Sequence, residues 1–328
     1  MFNKRNVNID IMRGIAIIVM VMGHCITKAP LDMQSTYIGA KAEWIISIFD
    51  MPLFFIISGY VFNFSSPKKY YVNKTKRILV PYLIWALIDV SLHSLPVADK
   101  LSVQGGYDFL PGLVGIFTRG DVLWFLYVLF EIMLFYPLIF RRKKETKILI
   151  LIILAIVRLF IHIDFDYLNF NNLLYYLIFF IIGDLLKNID IRCFTERRTI
   201  ISSLVFSFLI YSCQFIFSDE SFVLQFTKSY LIKLIIIYYI YLIVVASKDR
   251  MMKIRNYVAK CGYYSLQIYI FNFYTIMICR YILYNYLGLT NMFTTFIILV
   301  AATLSFSTFF TEKVIEKNKL LKFVVGIK

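Results

Sequence analysis

The first long apolar run of the chain carries two side chains whose types and spacing suit anion binding and proton transfer. Arg13 and His24 are eleven residues apart in this run. Eleven residues make close to three turns of an α-helix, so both side chains lie on one helix face, about 16 Å apart along the axis. Arginine binds anions such as phosphates, and histidine titrates near neutrality and can act as a general base. Asp10 precedes Arg13 by three residues and is predicted to support it by pairing.

Other polar side chains inside apolar runs add to this pattern. Ionisable groups within a bilayer are costly, and they usually face a partner, a cavity or a water path. Asp50 lies in the second apolar run, and Glu131 lies in the middle of the fourth, where a buried carboxylate needs a partner.

A basic cluster precedes a later apolar run. Lys74 and Arg77 are three residues apart, and Pro81 and Tyr82 follow them. Cations at a helix N-terminus oppose the helix dipole, so another cause must explain their position. One explanation is anchoring at the cytoplasmic membrane face, and the other is a phosphate-binding site.

Plainer interpretations of the same residues stay open at this point. Arg13 fits an arginine that extends to the membrane interface, and His24 fits a structural histidine bonded between helices. Ser58 and Gly59 form a small pair that permits close helix packing. His93, near the outer end of a predicted helix, is interpreted as an interfacial residue.

The elements that must position these residues are membrane-spanning helices. Of the 328 residues, 60% are hydrophobic and 17% are charged, whereas a soluble domain has about 45–50% apolar and about 25% charged residues. Apolar runs of nearly twenty residues recur along the chain, which is typical of transmembrane helices. The pattern predicts an all-α bundle of about ten spans, near residues 9–28, 43–65, 77–96, 121–140, 147–163, 172–187, 199–218, 228–247, 262–286 and 290–312.

The distribution of basic residues predicts the orientation of these spans. The formal net charge is +15, and Lys and Arg lie mainly in one alternate set of connections, which includes both ends of the chain. Basic residues collect on the cytoplasmic side of membrane proteins, so both ends are expected inside. This distribution accounts for the positive charge without nucleic-acid binding. We expect residues 1–328 to form a single polytopic membrane domain with no separate soluble domain.

Two further features limit the possible functions. The five cysteines show no CxxC pair and no metal-ligand spacing, so no metal site is predicted. The longest outer connection, from about residue 97 to 120, contains Gly105, Gly106, Pro111 and Gly112, which indicates a loop or a re-entrant turn.

Three stretches of the sequence resemble the membrane-bound acyltransferase-3 family. That family has a basic residue, ten intervening residues and a histidine in its first helix, which fall here on Arg13 and His24. The stretch from Met51 to Tyr60 resembles its second-helix stretch, and Lys74 to Tyr82 resembles its basic stretch leading to proline and tyrosine. The order and spacing of these and of looser similarities cover nearly the whole chain.

This resemblance implies a bacterial, multi-pass O-acetyltransferase of the plasma membrane. The implied donor is cytoplasmic acetyl-CoA or another short acyl-CoA, a co-substrate rather than a permanently bound cofactor, with its phosphates on Arg13, Lys74 and Arg77. His24 is then the general base for a hydroxyl group of a surface polysaccharide or lipid-linked glycan, or it carries the acyl group transiently. In this implied mechanism Asp50 or Glu131 orients the imidazole of His24. The candidate hydrogen-bond donors to the negatively charged oxygen of the transition state are Ser58, Tyr60 and Trp124. The implied partners are these two substrates and the lipid bilayer, with no nucleic acid.

Two positions depart from the family pattern. Its paired arginines before the third helix are Lys74 and Arg77 here, and lysine keeps the charge but not the bidentate phosphate geometry. Many relatives have a histidine where this chain has Asn272.

The alternative function is a multi-helix transporter or exporter of a glycan or lipid-linked precursor. Ten helices and scattered intramembrane charges permit it, but the sequence shows no repeat symmetry of the kind many transporters have. A purely structural scaffold does not account for the buried ionisable residues.

Overall fold

The computed structural model describes residues 6–27, 33–94, 109–160, 167–216, 221–247, 252–289 and 291–327. Within these ranges the chain is mostly helical and contains no β-strand. The α-helices are α1 (Val7–Thr27), α2 (Tyr37–Tyr60), α3 (Pro67–Lys74), α4 (Val80–His93), α5 (Phe109–Thr118), α6 (Trp124–Phe135), α7 (Pro137–Phe140), α8 (Lys144–Phe160), α9 (Phe170–Leu186), α10 (Arg197–Ile216), α11 (Phe222–Phe226), α12 (Ile232–Ala246), α13 (Met252–Tyr263), α14 (Ser265–Asn285), α15 (Met292–Lys313) and α16 (Lys319–Val324).

The described part of each of the ten apolar runs coincides largely with one helix or with consecutive helices. Residues 28, 95–96, 161–163, 217–218 and 290 of these runs lie outside the described ranges. Among the described residues, six helices are long and apolar enough to cross a membrane, namely Val7–Thr27, Tyr37–Tyr60, Tyr167–Leu186, Leu224–Ala246, Ser265–Asn285 and Met292–Lys317. The other four predicted spans coincide with helices that are not both long enough and apolar enough to meet these criteria. They are α4, the consecutive pair α6 and α7, α8, and α10. The structure therefore supports a multi-pass, all-helical protein, and ten crossings remain a prediction.

The longest predicted connection is partly helical. Phe109–Thr118 forms α5, a short apolar helix. Residues 95–108, which include Gly105 and Gly106, lie outside the described ranges.

One continuous helical path joins α3 to α4 through a π-helical turn, Thr75–Leu79. In this turn the N–H of Val80 donates to the carbonyl of Thr75, five residues earlier. Pro81 has no N–H, so an α-helix could not pair the carbonyl of Arg77 at this place. The wider turn is the local consequence of this proline, and π-turns inside helices often occur at functional sites.

Glycines bring the helices of the core close together. At Gly59 an added Cβ would overlap the carbonyl of Phe180, and at Gly183 it would overlap the carbonyl of Ile56. Small residues at such crossings let helix backbones approach, which is a common way of packing in membrane bundles. The seam between α2 and α9 is therefore fixed by Gly59 and Gly183, as the packing interpretation of the Ser58 and Gly59 pair predicts.

The first helix lies inside the bundle. It packs against α2, α13, α14 and α15, and its residues Ala16, Ile17 and Val21 are completely buried. A polar residue on this helix therefore faces other protein elements or an internal cavity over much of its length.

Candidate active site

A cavity of about 560 Å³ lies near the end of the bundle where α1 and α4 finish and α2 and α6 begin. Residues of α1, α2, α4, α9 and α14, and of the turn leading into α6, line it. Its size is in the range of ordinary small-molecule sites, and its wall is mainly apolar with a few charged groups.

His24 lines this cavity from the last turn of α1. The residue is half-buried, so its imidazole is held by the protein and still borders open space. Met20, Gly23 and Thr27 of the same helix also line the cavity. The histidine singled out in the sequence therefore faces a space in which a substrate can sit.

Asp50 and Trp124, both predicted site residues, line the same cavity as His24. Asp50 is buried, and its Oδ1 accepts a hydrogen bond from the N–H of Met51 at 2.7 Å. The positive charge of Lys233 also acts on it. The structure thus brings one of the two candidate carboxylates into the cavity with the histidine.

Aromatic rings form one side of the cavity. The ring centroids of Trp124 and Tyr176 are 5.4 Å apart, and those of Tyr176 and Phe55 are 4.5 Å apart in a stacked arrangement. Leu123, directly before Trp124, has a left-handed backbone with φ 52°. That turn starts α6 at the cavity edge and sets the direction of the tryptophan.

Arg280 supplies a positive charge to the cavity wall. It is buried on α14, and its Nη2 donates to the carbonyl of Cys25 at 3.2 Å. Cys25 follows His24 directly in α1. The contact holds a guanidinium group next to the turn that carries the histidine, at the wall of the cavity.

Asp89 and His93 of α4 also line the cavity. Sequence reasoning treated His93 as an interfacial residue, but the structure buries it, with 7% of its surface exposed. The sequence analysis missed this pair, and the signal that could have found it is the spacing of an aspartate four residues before a histidine on one helix face.

Three positively charged side chains lie near the start of α1 and just before α4. Burial of Lys74 lowers its pKa to about 8, and the positive charges of Arg77 and Arg13 lower it further in the same direction. The ammonium of Lys74 also lies over the ring of Tyr70, 5.5 Å from its centroid. Arg13, Lys74 and Arg77, which we call the cation cluster, are therefore near neighbours although they come from two separate parts of the sequence.

The cation cluster and the cavity both draw residues from α1 and from the helical path that runs from α3 through the π-turn to α4. Arg13 and His24 are both on α1. Lys74 and Arg77 precede α4, and Asp89 and His93 of α4 line the cavity. The charge of Arg13 acts on Lys74, and His24 lines the cavity together with Asp89 and His93.

The remaining predicted site residues lie elsewhere. Ser58 and Tyr60 are half-buried near the seam of α2 and α9, and Glu131 is buried on α6 beside Tyr127. None of the three is among the residues that line the cavity. Asp10 is buried near the start of α1, where its backbone carbonyl packs against Gly262.

Asn272, at the position where many family members carry histidine, also lines the cavity. Its Nδ2 donates to the carbonyl of Tyr269 in the preceding turn of α14. Within the described part of the chain, no group of three or more His, Cys, Asp or Glu residues is arranged to hold a metal ion.

Comparison with known proteins shows the family of the chain. A family model described as "Acyltransferase domain", that of the acyltransferase-3 family, matches residues 6–312. The chain is 28% identical over 130 residues to Nodulation protein NolL of Sinorhizobium fredii, which is 38% of this chain and 34% of that protein. It is 28% identical over 111 residues to Nodulation protein NolL of Mesorhizobium japonicum, which is 31% of this chain and 28% of that protein.

The matches thus span about a third of the length of these curated relatives, and no solved structure matches the chain. The family model, in contrast, covers the first helix, the cation cluster and every element that lines the cavity. With its helical bundle and its first-helix arginine and histidine, the chain belongs to the acyltransferase-3 family.

Proposed function

We propose that the protein is a membrane O-acyltransferase that moves an acetyl or other short acyl group from cytoplasmic acyl-CoA to a hydroxyl group of a surface glycan or lipid-linked sugar. The observation that carries this proposal is the position of His24 in a cavity of about 560 Å³, on the same helix as an arginine of the cation cluster. Family membership supports the reaction class.

The cation cluster is the proposed docking site for the phosphates of the donor. Burial lowers the pKa of Lys74, and the neighbouring positive charges of Arg77 and Arg13 lower it in the same direction. Binding a polyanion offsets the repulsion between these charges and forms charge-assisted hydrogen bonds. An extended pantetheine arm can cover the roughly 16 Å between Arg13 and His24 along α1.

His24 is the proposed general base. It takes the proton of the acceptor hydroxyl as the oxygen of that hydroxyl forms a bond to the thioester carbonyl carbon. The C–S bond then breaks, and the protonated imidazole returns the proton to the CoA thiolate. The products are the ester and free CoA, with no net change at the histidine.

Two charged residues assist this step in the proposal. Arg280, held at the carbonyl of Cys25, faces the negative charge that develops on the tetrahedral oxygen. Asp50, which lines the cavity with His24, favours the protonated imidazole that forms in the transition state. The aromatic side formed by Trp124 and Tyr176 offers an apolar face on which a sugar ring can pack.

Acyl transfer can be tested directly with purified protein, acetyl-CoA labelled in the acetyl group, and an extract of membranes from the native host. We expect wild-type protein to place the label on an acceptor in the extract and His24→Ala to reduce this by at least about a hundredfold, the usual contribution of a general base. Near-normal transfer by His24→Ala would contradict the assigned chemistry.

The same assay separates the enzyme from a transporter. A transporter of an acylated glycan or lipid-linked precursor would form no labelled product, whereas an acyltransferase forms a covalent one. Lys76→Ala provides a matched control, because Lys76 is an exposed basic residue between Lys74 and Arg77. We expect this variant to transfer label at the wild-type rate.

A further inference from the structure

His93 and Asp89 form a histidine–carboxylate pair in the cavity wall, on a different helix from His24. The Nδ1 atom of His93 lies 3.2 Å from Oδ2 of Asp89 and 2.8 Å from the backbone oxygen of the same residue. The two residues are 7% and 8% exposed, and both border the cavity. The reaction steps described above do not use this pair.

The hydrogen bonds of Nδ1 fix the tautomer of His93. A backbone carbonyl can only accept a hydrogen bond, so the Nδ1 atom that lies 2.8 Å from it must carry the hydrogen. In the neutral imidazole the second nitrogen, Nε2, is then a hydrogen-bond acceptor. A carboxylate that holds Nδ1–H and so directs Nε2 at a substrate is the arrangement found in serine-hydrolase triads.

Neighbouring side chains of α14 hold the pair in place. The ring of Phe273 lies 5.7 Å from the imidazole of His93, measured between centroids. The hydroxyl group of Tyr274 interacts with Asp89. Both α14 residues also line the cavity, so the pair is positioned by two helices rather than by one.

We propose that Asp89 and His93 form the acceptor site of the cavity, where Nε2 of His93 accepts a hydrogen bond from a hydroxyl group next to the one that reacts. Asp89 is a positioning residue that keeps the imidazole in this tautomer. The inference rests on the proposed acyl transfer, in which His24 takes the reacting proton. Because two hydroxyl groups are then recognised, the acceptor class is a polyol with adjacent hydroxyl groups rather than a simple alcohol.

Two substitutions of His93 separate its two nitrogen atoms. In His93→Asn the amide nitrogen replaces Nδ1 and can still donate to Asp89, but nothing replaces Nε2. In His93→Gln the amide reaches the position of Nε2, where its oxygen can accept a hydroxyl hydrogen. We expect His93→Asn to raise the apparent KM for the acceptor about tenfold, the effect of one lost hydrogen bond, and His93→Gln to recover most of this loss.

The measurement uses purified full-length protein, labelled acetyl-CoA at saturation and a dilution series of native-host membrane extract as the acceptor. Acetyl-CoA affinity, measured by equilibrium binding, should equal the wild-type value in both variants. Asp89→Asn should raise the acceptor KM in the wild-type background but add little to His93→Asn. Ser94→Ala, an exposed substitution at the same helix end, is the control and should leave the acceptor KM unchanged.

Each other outcome has a distinct meaning. If wild-type protein transfers label and His93→Asn keeps the wild-type acceptor KM, the acceptor site is wrong and the proposed function stands. A His93→Asn protein that loses acetyl-CoA affinity as well would show a structural role and would also overturn the inference. If wild-type protein transfers no label, the proposed function fails, and the acceptor site fails with it.

Discussion

The charge of the cation cluster depends on pH through Lys74. Burial, followed by the charges of Arg77 and Arg13, lowers its pKa to about 8. A lysine is charged below its pKa, so this ammonium is about nine-tenths protonated at pH 7 and about one-tenth protonated at pH 9. Any role in binding phosphate is therefore present at neutral pH and is lost as the pH rises through about 8.

We expect acetyl-CoA to bind about fivefold more weakly at pH 9 than at pH 7, because most of the protein has then lost one charge-assisted hydrogen bond of about 1.5 kcal/mol. Lys74→Arg should remove this dependence, because arginine stays charged over the whole range. Equilibrium binding at several pH values measures both. An equal fall in affinity in wild-type protein and Lys74→Arg would exclude Lys74 as the titrating group.

The sequence predicted some site residues better than others for physical reasons. Arg13 and His24 share one helix, so helical periodicity alone could relate them. Asp50 joins His24 and Glu131 does not, because that difference depends on how α2 and α6 pack against α1, which local pattern does not reveal. His93 was missed because burial at the end of α4 depends on its contact with Phe273 of α14.

At the scale of elements, the π-turn that carries Arg77 is held by the segment 319–327. The indole Nε1 of Trp85 donates to the carbonyl of Val324 at 3.2 Å, and Nε2 of Gln267 donates to that of Val325 at 2.9 Å. These two bonds attach the segment to α4 and α14. It lies beyond the residues that the family model matches, 6–312.

Gly326 makes the closest contact in this attachment. Its φ is +74°, and a Cβ at this residue would lie 2.5 Å from the carbonyl oxygen of Arg77. In a regular α-helix that carbonyl would lie opposite Pro81, which has no N–H to donate. A side chain at Gly326 must therefore displace either the segment or the turn that carries Arg77.

We expect Gly326→Ala to weaken acetyl-CoA binding several-fold, as roughly 1 kcal/mol of lost interaction would, and Gly288→Ala to leave it unchanged. Gly288 is the matched control because its φ is +58° but no atom lies within 4 Å of an added Cβ. Both variants bear the backbone cost of a left-handed alanine, about 1–2 kcal/mol. Equal acetyl-CoA affinities in the two variants would show that the segment does not position Arg77.

Helix positions were the most predictable part of the fold. Runs of apolar residues of the right length define them, and the described part of every predicted run is largely helical. The π-turn was not predicted, although Pro81 was visible in the sequence, because the response of a helix to proline depends on its neighbours. The shortness of α4 and α6 also followed from the structure rather than from the hydropathy pattern.

At the scale of the whole molecule, the cation cluster lies near the start of α1 and the cavity lies near its end. The predicted orientation puts the start of α1 inside the cell, where acyl-CoA is available, and the cavity towards the outside, where a surface glycan is reached. Ten crossings would place residues 119–121 outside and residues 141–147 inside. Six crossings, formed only by the helices that meet both length and apolarity criteria, would place both groups on the same side.

Cysteine labelling of intact cells distinguishes these topologies. Arg119 and Glu145 are both exposed, so cysteines at these positions are accessible to reagents in the adjacent water. With a membrane-impermeant maleimide, and with the native cysteines replaced, we expect Arg119→Cys to be labelled and Glu145→Cys to be labelled only after the cells are opened. Labelling of both, or of neither, before the cells are opened would exclude the ten-span topology.

The central claim is that a single helix binds the donor at one end and performs proton transfer at the other. Equilibrium binding of acetyl-CoA to Arg13→Ala and His24→Ala, each purified as full-length protein, tests it most directly. We predict that Arg13→Ala binds at least about tenfold more weakly than wild type, as loss of a charge-assisted contact requires, and that His24→Ala binds like wild type while transferring no label. Equal affinity of Arg13→Ala and wild type would contradict the account.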